Sequence, residues 1–309
     1  MGCYNSAKRN PPESSLINRV LGAIERNEMS SVKSLSKKIC HFKKIDDEIG
    51  EIENIKLNAL GYALWTGKIE PFAYIHRTLN ASIKAMEDLF IKSELTSLHI
   101  ICAKGHLEIL KYYLPHYLKE ITEMPEIQEY TTNFGSQIFI EETSNLNISS
   151  PHYLPIHIVT IQENLPMLAF IHTHFSNKSY IPRLLDMEYK EEITGENCVL
   201  LACRKANYKL IFFFHKTCKL NFRVKNNAGF NGINVLLDGY KTGDDKNVMN
   251  CLRYLVEKIG LDVEYKHSFN LKAAKDQEIV RYLEGKLLEQ GIFVKKHDFN
   301  CIQPIEFDV

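Results

Sequence analysis

Apolar residues recur along the chain with the period of short helices. In the stretch 96–114, Leu98, Ile101 and Cys102 fall three and four residues apart, which places them on one stripe of a helix. After Gly105, a second stripe with the same spacing is formed by Leu107, Leu110, Tyr113 and Leu114. This pattern predicts two short helices that reverse direction at Gly105.

The polar residues of this stretch predict how each helix begins and ends. Thr96 directly precedes the first helix, where its hydroxyl can accept backbone N–H groups. Gly105 lies where that helix must stop and reverse, a position that favours a left-handed backbone, which glycine adopts at little cost. His99 lies in the first turn, and we interpret it as a structural residue whose imidazole bonds to neighbouring backbone groups.

The same template recurs in seven copies, of which the one at 96 is the strongest match. They begin near residues 18, 58, 96, 154, 197, 231 and 268. Gly67 follows the start of its copy by nine residues, as Gly105 does, and His157 occupies the position of His99. We therefore predict structural turn roles for both. A single helix pair cannot bury its apolar stripe alone, so the copies are expected to stack and share a core.

These residues resemble a known repeat. The run Thr96-Ser97-Leu98-His99 followed by a Gly-His break, and the related run Leu154-Pro155-Ile156-His157, are similar to the opening of an ankyrin repeat. The resemblance covers residues 16–290. It implies an all-α ankyrin-repeat solenoid of about seven helix-turn-helix repeats with short β-hairpin fingers. It also implies a protein partner bound on the concave and finger face, with no catalytic group required.

Two segments depart from the repeat. The long interval before the copy at 154 contains an insertion at 120–152, with Glu at 120, 123, 126, 129, 141 and 142. Within it, residues 136–140 predict a short strand, part of an enlarged finger. The polar segment 239–246 separates the two helices of the copy at 231, and we interpret it as a surface loop.

The N-terminus contains a lipidation motif. Gly2 after Met1, with Ser6 four positions on, matches the N-myristoylation pattern, and Cys3 is a candidate for S-palmitoylation. Two acyl chains matter because one myristoyl group binds membranes only marginally. Residues 1–44 also contain nine Lys/Arg against three Glu, a net of +6 that attracts anionic lipid. We predict an acylated flexible arm at 1–15, the repeat domain at 16–290 and a tail at 291–309.

Composition excludes several other classes. Lys+Arg and Asp+Glu both number 38, so there is no overall basic excess of the kind that holds a protein on nucleic acid. No apolar run reaches the length of a membrane span, and no secretory signal is present. The eight Cys form no C-x-x-C pair, which favours reduced thiols. The sequence therefore predicts a cytosolic chain, peripheral to the membrane, without metal or other cofactor.

No catalytic residue is predicted. The sequence contains no phosphate-binding glycine loop, no H-E-x-x-H and no G-x-S-x-G. Tyr208 and the aromatic run 212–214 are interpreted as core between repeats. The leading hypothesis is a lipid-anchored, non-catalytic interaction scaffold. The alternative is a soluble ankyrin adaptor or substrate receptor whose N-terminal match is accidental, and an enzyme with its site in 120–152 or among the aromatic residues is the third.

Overall fold

The computed structural model describes residues 13–39, 44–93, 95–122, 153–178, 181–240, 243 and 245–292. Contacts divide these residues into two compact units. The first unit comprises the residues up to 158 together with 169–171. The second comprises 159–168 and the residues from 172 onward. Each unit consists of helical hairpins that pack side by side.

The first unit contains three helix hairpins and one additional helix. Its helices are α1 (Glu13–Glu25), α2 (Met29–Ile39), α3 (Ala59–Trp65), α4 (Ile69–Thr78), α5 (Ile83–Ile91), α6 (Ser97–Ala103) and α7 (Leu107–Thr122). The first helices of successive hairpins, α1, α3 and α6, contact one another in order. The second helices α2, α4 and α7 do the same. We call the second helices the outer helices.

The second unit repeats this arrangement. The chain continues with α8 (Pro155–Ile161), α9 (Leu165–Phe175), α10 (Cys198–Arg204), α11 (Tyr208–Lys216), α12 (Gly232–Asp238), α13 (Asp245–Arg253), α14 (His267–Ala273) and α15 (Gln277–Glu289). Residues of the α8–α9 hairpin fall in both units. In the second unit α10, α12 and α14 contact in order, as do the outer helices α11 and α13. A π-helical turn, Tyr254–Lys258, extends α13.

The links between hairpins differ along the chain. Residues Gly50–Ile52 (β1) and Ile55–Leu57 (β2) form an antiparallel finger. The two residues between them, Glu53 and Asn54, both have positive φ, as a tight two-residue hairpin requires. The next link contains α5, which packs against α3, β2, α6 and α7. At 220–230 and 261–266 the described chain forms turns without strands.

The core consists of the apolar stripes that the period predicts. Leu98, Ile101 and Cys102 of α6 are fully buried, as are Tyr113 and Leu114 of α7. Helices of seven residues, the length of α6, are marginal alone, because nucleation costs more than so few backbone hydrogen bonds return. The stacked neighbours therefore supply most of their stability.

Some predicted bounds differ from the structure. Five of the seven predicted starts lie one residue before a helix, but α1 begins at Glu13 rather than near 18. Residues 13–15, assigned to the arm from sequence, are therefore helical. The last repeat begins at His267, one residue before its predicted start. The predicted strand at 136–140 lies outside the described residues.

Candidate interaction surface

The first helices of four repeats begin at a polar residue that accepts a backbone N–H group three positions along. These capping residues are Asn58, Thr96, Asn197 and Asn231. Thr96 Oγ1 accepts the N–H of His99 at 3.4 Å. The hydroxyl satisfies one of the donors that a helix N-terminus leaves unpaired. Thr96 is thus placed at the N-cap of α6.

The two histidines for which a structural role was predicted, His99 and His157, occupy equivalent buried positions. His99 is fully buried, and its Nδ1 lies 2.9 Å from Thr96 Oγ1. Burial lowers the pKa of His99 to about 4. His157 is also fully buried, and its Nδ1 accepts the N–H of Leu154 at 3.3 Å. Both side chains lie in the protein interior, where His99 bonds to a side-chain hydroxyl and His157 to a backbone N–H.

The two glycines for which a turn role was predicted lie in hairpin turns, and both have a left-handed backbone. Gly67 has φ +73° and Gly105 has φ +69°. A Cβ on Gly67 would lie 2.5 Å from the ring of His106, whose Nε2 lies 3.2 Å from the carbonyl oxygen of Trp65. The turn of one hairpin therefore rests on the turn of the next. The same left-handed position is occupied in other hairpins by Asn27, Glu163 and Ala206.

The predicted lipidation residues lie outside the described part of the chain. These are Gly2 and Cys3, together with the supporting Ser6. The glutamate-rich insertion is described only up to residue 122.

Three loops of the second unit form one connected surface. They are residues 186–196, 221–230 and 261–266, and we call them the loop stack. Asn227 joins the first loop to the second: its N–H donates to Thr194 O at 2.8 Å, and its Nδ2 donates to the carbonyls of Glu192 and Ile193 at 2.9 Å. Gly195 has φ +72°, and a Cβ there would lie 2.3 Å from Asn227 Oδ1. This contact therefore requires glycine.

The second loop is joined to the third in a similar way. Tyr265 OH donates to Gly229 O at 2.7 Å, and Lys266 Nζ donates to Ala228 O at 2.8 Å. Lys225 Nζ lies 3.6 Å from the centre of the Tyr265 ring, within the range of a cation–π contact. The three loops are thus held in a fixed order.

Two buried carboxylates stabilise the loop stack from inside. Glu191, 1% exposed, accepts two backbone N–H groups of its own loop at 2.8 and 2.6 Å. Glu196, also 1% exposed, accepts from Arg204 Nε at 3.0 Å and from Asn226 Nδ2 at 3.3 Å. Arg204 Nη1 also donates to Asp238 at 2.9 Å. Charge-assisted hydrogen bonds of this kind connect each carboxylate to the loop around it.

The outward side of the loop stack presents both charge signs and one apolar side chain. Ile193 is 37% exposed at the tip of the first loop. The exposed polar and charged residues of the loop stack are Glu188, Lys190, Glu192, Asn221, Arg223, Lys225, Asn227, Asp262 and Glu264. The described residues contain no group of three or more His, Cys, Asp or Glu that could hold a metal ion. No described helix is long and apolar enough to cross a bilayer.

Comparison with known proteins gives the fold. The structure matches that of the ankyrin repeat domain of Bcl-3, a unique member of the IkappaB protein family, with a TM-score of 0.54. The match covers 86% of this chain and 98% of that chain at 12% sequence identity. The protein has the ankyrin-repeat fold. No family model and no curated protein sequence matches the chain.

The ankyrin hairpins leave two predicted core aromatics on the surface. Phe213 and Phe214 are buried, as predicted, but Tyr208 is 41% exposed and Phe212 is 45% exposed. The core interpretation is wrong for these two, because α11 buries only the side that faces its neighbours, and residues 208 and 212 lie together on the other side. Tyr254 of the next outer helix lies beside them, 5.3 Å from the Tyr208 ring.

The ankyrin repeat pattern did not reveal the loop stack. Asn226, Asn227 and Gly229 indicate a turn by composition. Nothing local to them indicates that the turn docks on a loop more than thirty residues earlier. Nothing in the sequence around Glu191 and Glu196 indicates that their carboxylates are buried.

Proposed function

We propose that the protein is a non-catalytic interaction scaffold that binds a protein partner through the loop stack and is attached to the cytosolic face of a membrane by N-terminal acylation. The ankyrin-repeat fold supports the first part, because it is generally a protein-interaction fold whose specificity lies in exposed side chains. Loops placed by a rigid scaffold are where binding residues concentrate.

The connection of the three loops through Asn227 and Tyr265 is the observation that carries this proposal. Loops that are already ordered lose little conformational entropy when a partner binds, so more of the contact energy appears as affinity. The exposed charges of both signs and the apolar Ile193 suit a protein surface, because protein interfaces combine an apolar centre with a polar rim.

The attachment part is supported by the motif at Gly2, Cys3 and Ser6 and by the net basic charge of residues 1–44. Two acyl chains, or one chain with a polybasic segment, are the combinations that hold a protein stably on a bilayer. A tethered scaffold raises the local concentration of its partner at the membrane.

The loop stack is tested by proximity labelling in the native cell with Ile193→Asp and a matched control, Leu288→Asp, which changes another exposed apolar residue of the second unit. We expect one set of labelled proteins to be lost with Ile193→Asp and kept with Leu288→Asp. If both variants retain the wild-type set, the loop stack is not the binding surface.

The attachment is tested independently by intact mass of the native protein and by membrane fractionation of Gly2→Ala and Cys3→Ser. We expect a myristoyl mass on Gly2, and we expect Gly2→Ala to move the protein to the soluble fraction. A free or acetylated N-terminus with unchanged partitioning would instead support the soluble adaptor.

A further inference from the structure

One ankyrin repeat of the second unit is strongly basic. Between Glu196 and Asp238 the chain contains no acidic residue. It contains seven Lys and Arg, at positions 204, 205, 209, 216, 219, 223 and 225. The chain as a whole carries equal numbers of basic and acidic residues. This charge is therefore a local feature of the repeat built from α10 and α11.

Three of the seven cations already have roles in the fold or in the loop stack. Arg204 binds Glu196 and Asp238, whereas Arg223 and Lys225 belong to the second loop. The other four are exposed and form no ion pair with any residue that the structure describes: Lys205, Lys209, Lys216 and Lys219. They lie on α11 and on the turns at its two ends.

The exposed face of α11 combines these lysines with aromatic rings. Lys209, Phe212 and Lys216 are spaced at i, i+3 and i+7, and Tyr208 precedes Phe212 by one turn. The Tyr208 and Phe212 rings lie 6.3 Å apart, and both are more than 40% exposed. Along the helix, aromatic and lysine side chains therefore alternate, from Tyr208 and Lys209 at its start through Phe212 to Lys216 at its end.

We propose that this face of α11 lies against an anionic lipid surface. Aromatic side chains suit the boundary between headgroups and acyl chains, and lysines extend their aliphatic stems along that boundary while the ammonium groups meet anionic headgroups. A bilayer presents negative charge along a plane, which matches lysines spread along one helix of nine residues.

Two other occupants fit less well. A nucleic acid is disfavoured because the chain has no overall basic excess. An acidic protein would satisfy the lysines, and the choice of lipid over protein rests on the proposed acylation, which would place the chain at a membrane. Binding by α11 itself does not require the acyl chains, so it can be measured without them.

The test uses the full-length chain produced without acylation, in sedimentation with vesicles of phosphatidylcholine alone or with about 30% phosphatidylserine, at about 0.1 M salt. We compare wild type with Lys209→Glu/Lys216→Glu. The matched control is Lys84→Glu/Lys92→Glu, which makes the same charge change at two exposed lysines, one within α5 and one directly after it. Phe212→Ala tests the aromatic part without a change of charge.

We expect wild type to bind the phosphatidylserine vesicles and to be released by added salt. Removing a lysine from an anionic surface costs about fivefold in partition, so the α11 double variant should bind at least about 25-fold more weakly. The control should stay within about threefold of wild type if α11, and not overall charge, makes the contact. Phe212→Ala should bind more weakly than wild type.

Three results would overturn the inference. These are vesicle binding by the α11 variant that falls no more than that of the control, no binding of wild type to phosphatidylserine vesicles, or binding of a single-stranded RNA that is lost in the α11 variant while vesicle binding is unchanged. A failed acylation test at Gly2 leaves these measurements intact, because the chain used here carries no acyl group. The circular dichroism spectrum of each variant shows whether it is folded.

Discussion

The two units have different hydrogen-bonding side chains at the buried position near the start of a first helix. In the first unit His99 fills the buried position at the start of α6, where it bonds with Thr96. In the second unit the same position of α12 holds Asn234, whose Nδ2 donates to Asn270 Oδ1 at 2.7 Å. The position is not uniform among the repeats, because α3 has Gly61 there and α10 has the buried Leu200. Only the histidine adds a titratable group to that position.

The outer helices show a second such pair. His76 Nδ1 of α4 lies 2.8 Å from Tyr112 OH of α7, and His215 Nδ1 of α11 lies 3.0 Å from Tyr254 OH. Around Tyr112 the neighbours are Arg77, at 4.7 Å from its ring, and the buried Phe72, whose ring lies 5.8 Å away. Around Tyr254 they are the exposed Tyr208 and Phe212. Among the described residues, every large apolar side chain with substantial exposure lies in the second unit. We therefore expect binding surfaces in the second unit rather than in the first.

The largest predicted effect concerns the buried charge of the second unit. Arg204→Leu leaves the carboxylate of Glu196, which is 1% exposed, without its cation. Breaking a buried pair in this way should cost about 3–5 kcal/mol in the free energy of unfolding, measured by urea denaturation. The control is Arg253→Leu, whose partner Glu278 lies 3.5 Å away with both side chains exposed, and it should cost under about 1 kcal/mol. Equal costs would mean that Arg204 does not compensate Glu196.

The next prediction uses the histidine of the first unit. The pKa of His99 is about 4 in the fold against an ordinary value of 6.5, so the unfolded chain takes up a proton first as the pH falls. The stability due to neutral His99 is complete above pH 6.5 and is lost on acidification, by about 3 kcal/mol at pH 4.

His99→Asn, which copies the residue of the second unit, should remove this loss. The variant is expected to be less stable than wild type at pH 7 and to approach it or exceed it at pH 4, as measured by urea denaturation across that range. Parallel pH profiles for the two proteins would show that His99 does not titrate as the structure implies.

A third prediction concerns the extra helix of the first unit. Glu87 of α5, 3% exposed, accepts from Tyr113 OH at 2.6 Å and from the N–H of Ser97 at 3.1 Å. Tyr113→Phe removes one of the two hydroxyl donors to Glu87 Oε1, the other being Ser97 Oγ, and should cost about 2 kcal/mol in thermal or urea unfolding. Tyr112→Phe, which removes a half-buried hydroxyl bonded to His76, should cost about 1 kcal/mol. A larger cost for Tyr112→Phe would reverse the ranking of these two contacts.

The features that were predictable from sequence depend on neighbouring residues. The cap at Thr96 and the left-handed turn at Gly105 each follow from a side chain and the backbone within a few positions. The burial of Leu98 and Tyr113 follows from helical period, since a stripe must face a neighbour once hairpins stack.

The features that escaped prediction depend on distant residues. The repeat template has no element for 83–91, and α5 is held by Glu87 through contacts with Ser97 and Tyr113, the second of which is 26 residues away. The loop stack likewise rests on Asn227 meeting residues 34 and 35 positions earlier. A periodic pattern shows which face of an element is buried, but not which polar groups pair between elements.

The smallest predicted effect compares the hairpin turns of the two units. The first unit places glycine at Gly67 and Gly105, whereas the second places Ala206 at φ +50° in the equivalent turn. A left-handed backbone costs an L-residue about 1–2 kcal/mol, and glycine avoids that cost but loses about 0.4–1 kcal/mol through the entropy of the unfolded chain. Ala206→Gly should therefore stabilise the protein by about 0.5 kcal/mol.

The reciprocal change supplies the control, because Gly105→Ala should destabilise by about 1 kcal/mol at the matching turn of the first unit, where φ is +69°. Both variants are measured as shifts in the urea midpoint with an unchanged slope, so that small differences in stability are not confused with changes in the unfolded state. If Ala206→Gly destabilised the protein as much as Gly105→Ala, the alanine methyl would have to contribute packing that outweighs its backbone strain, and the turns of the two units would not be equivalent.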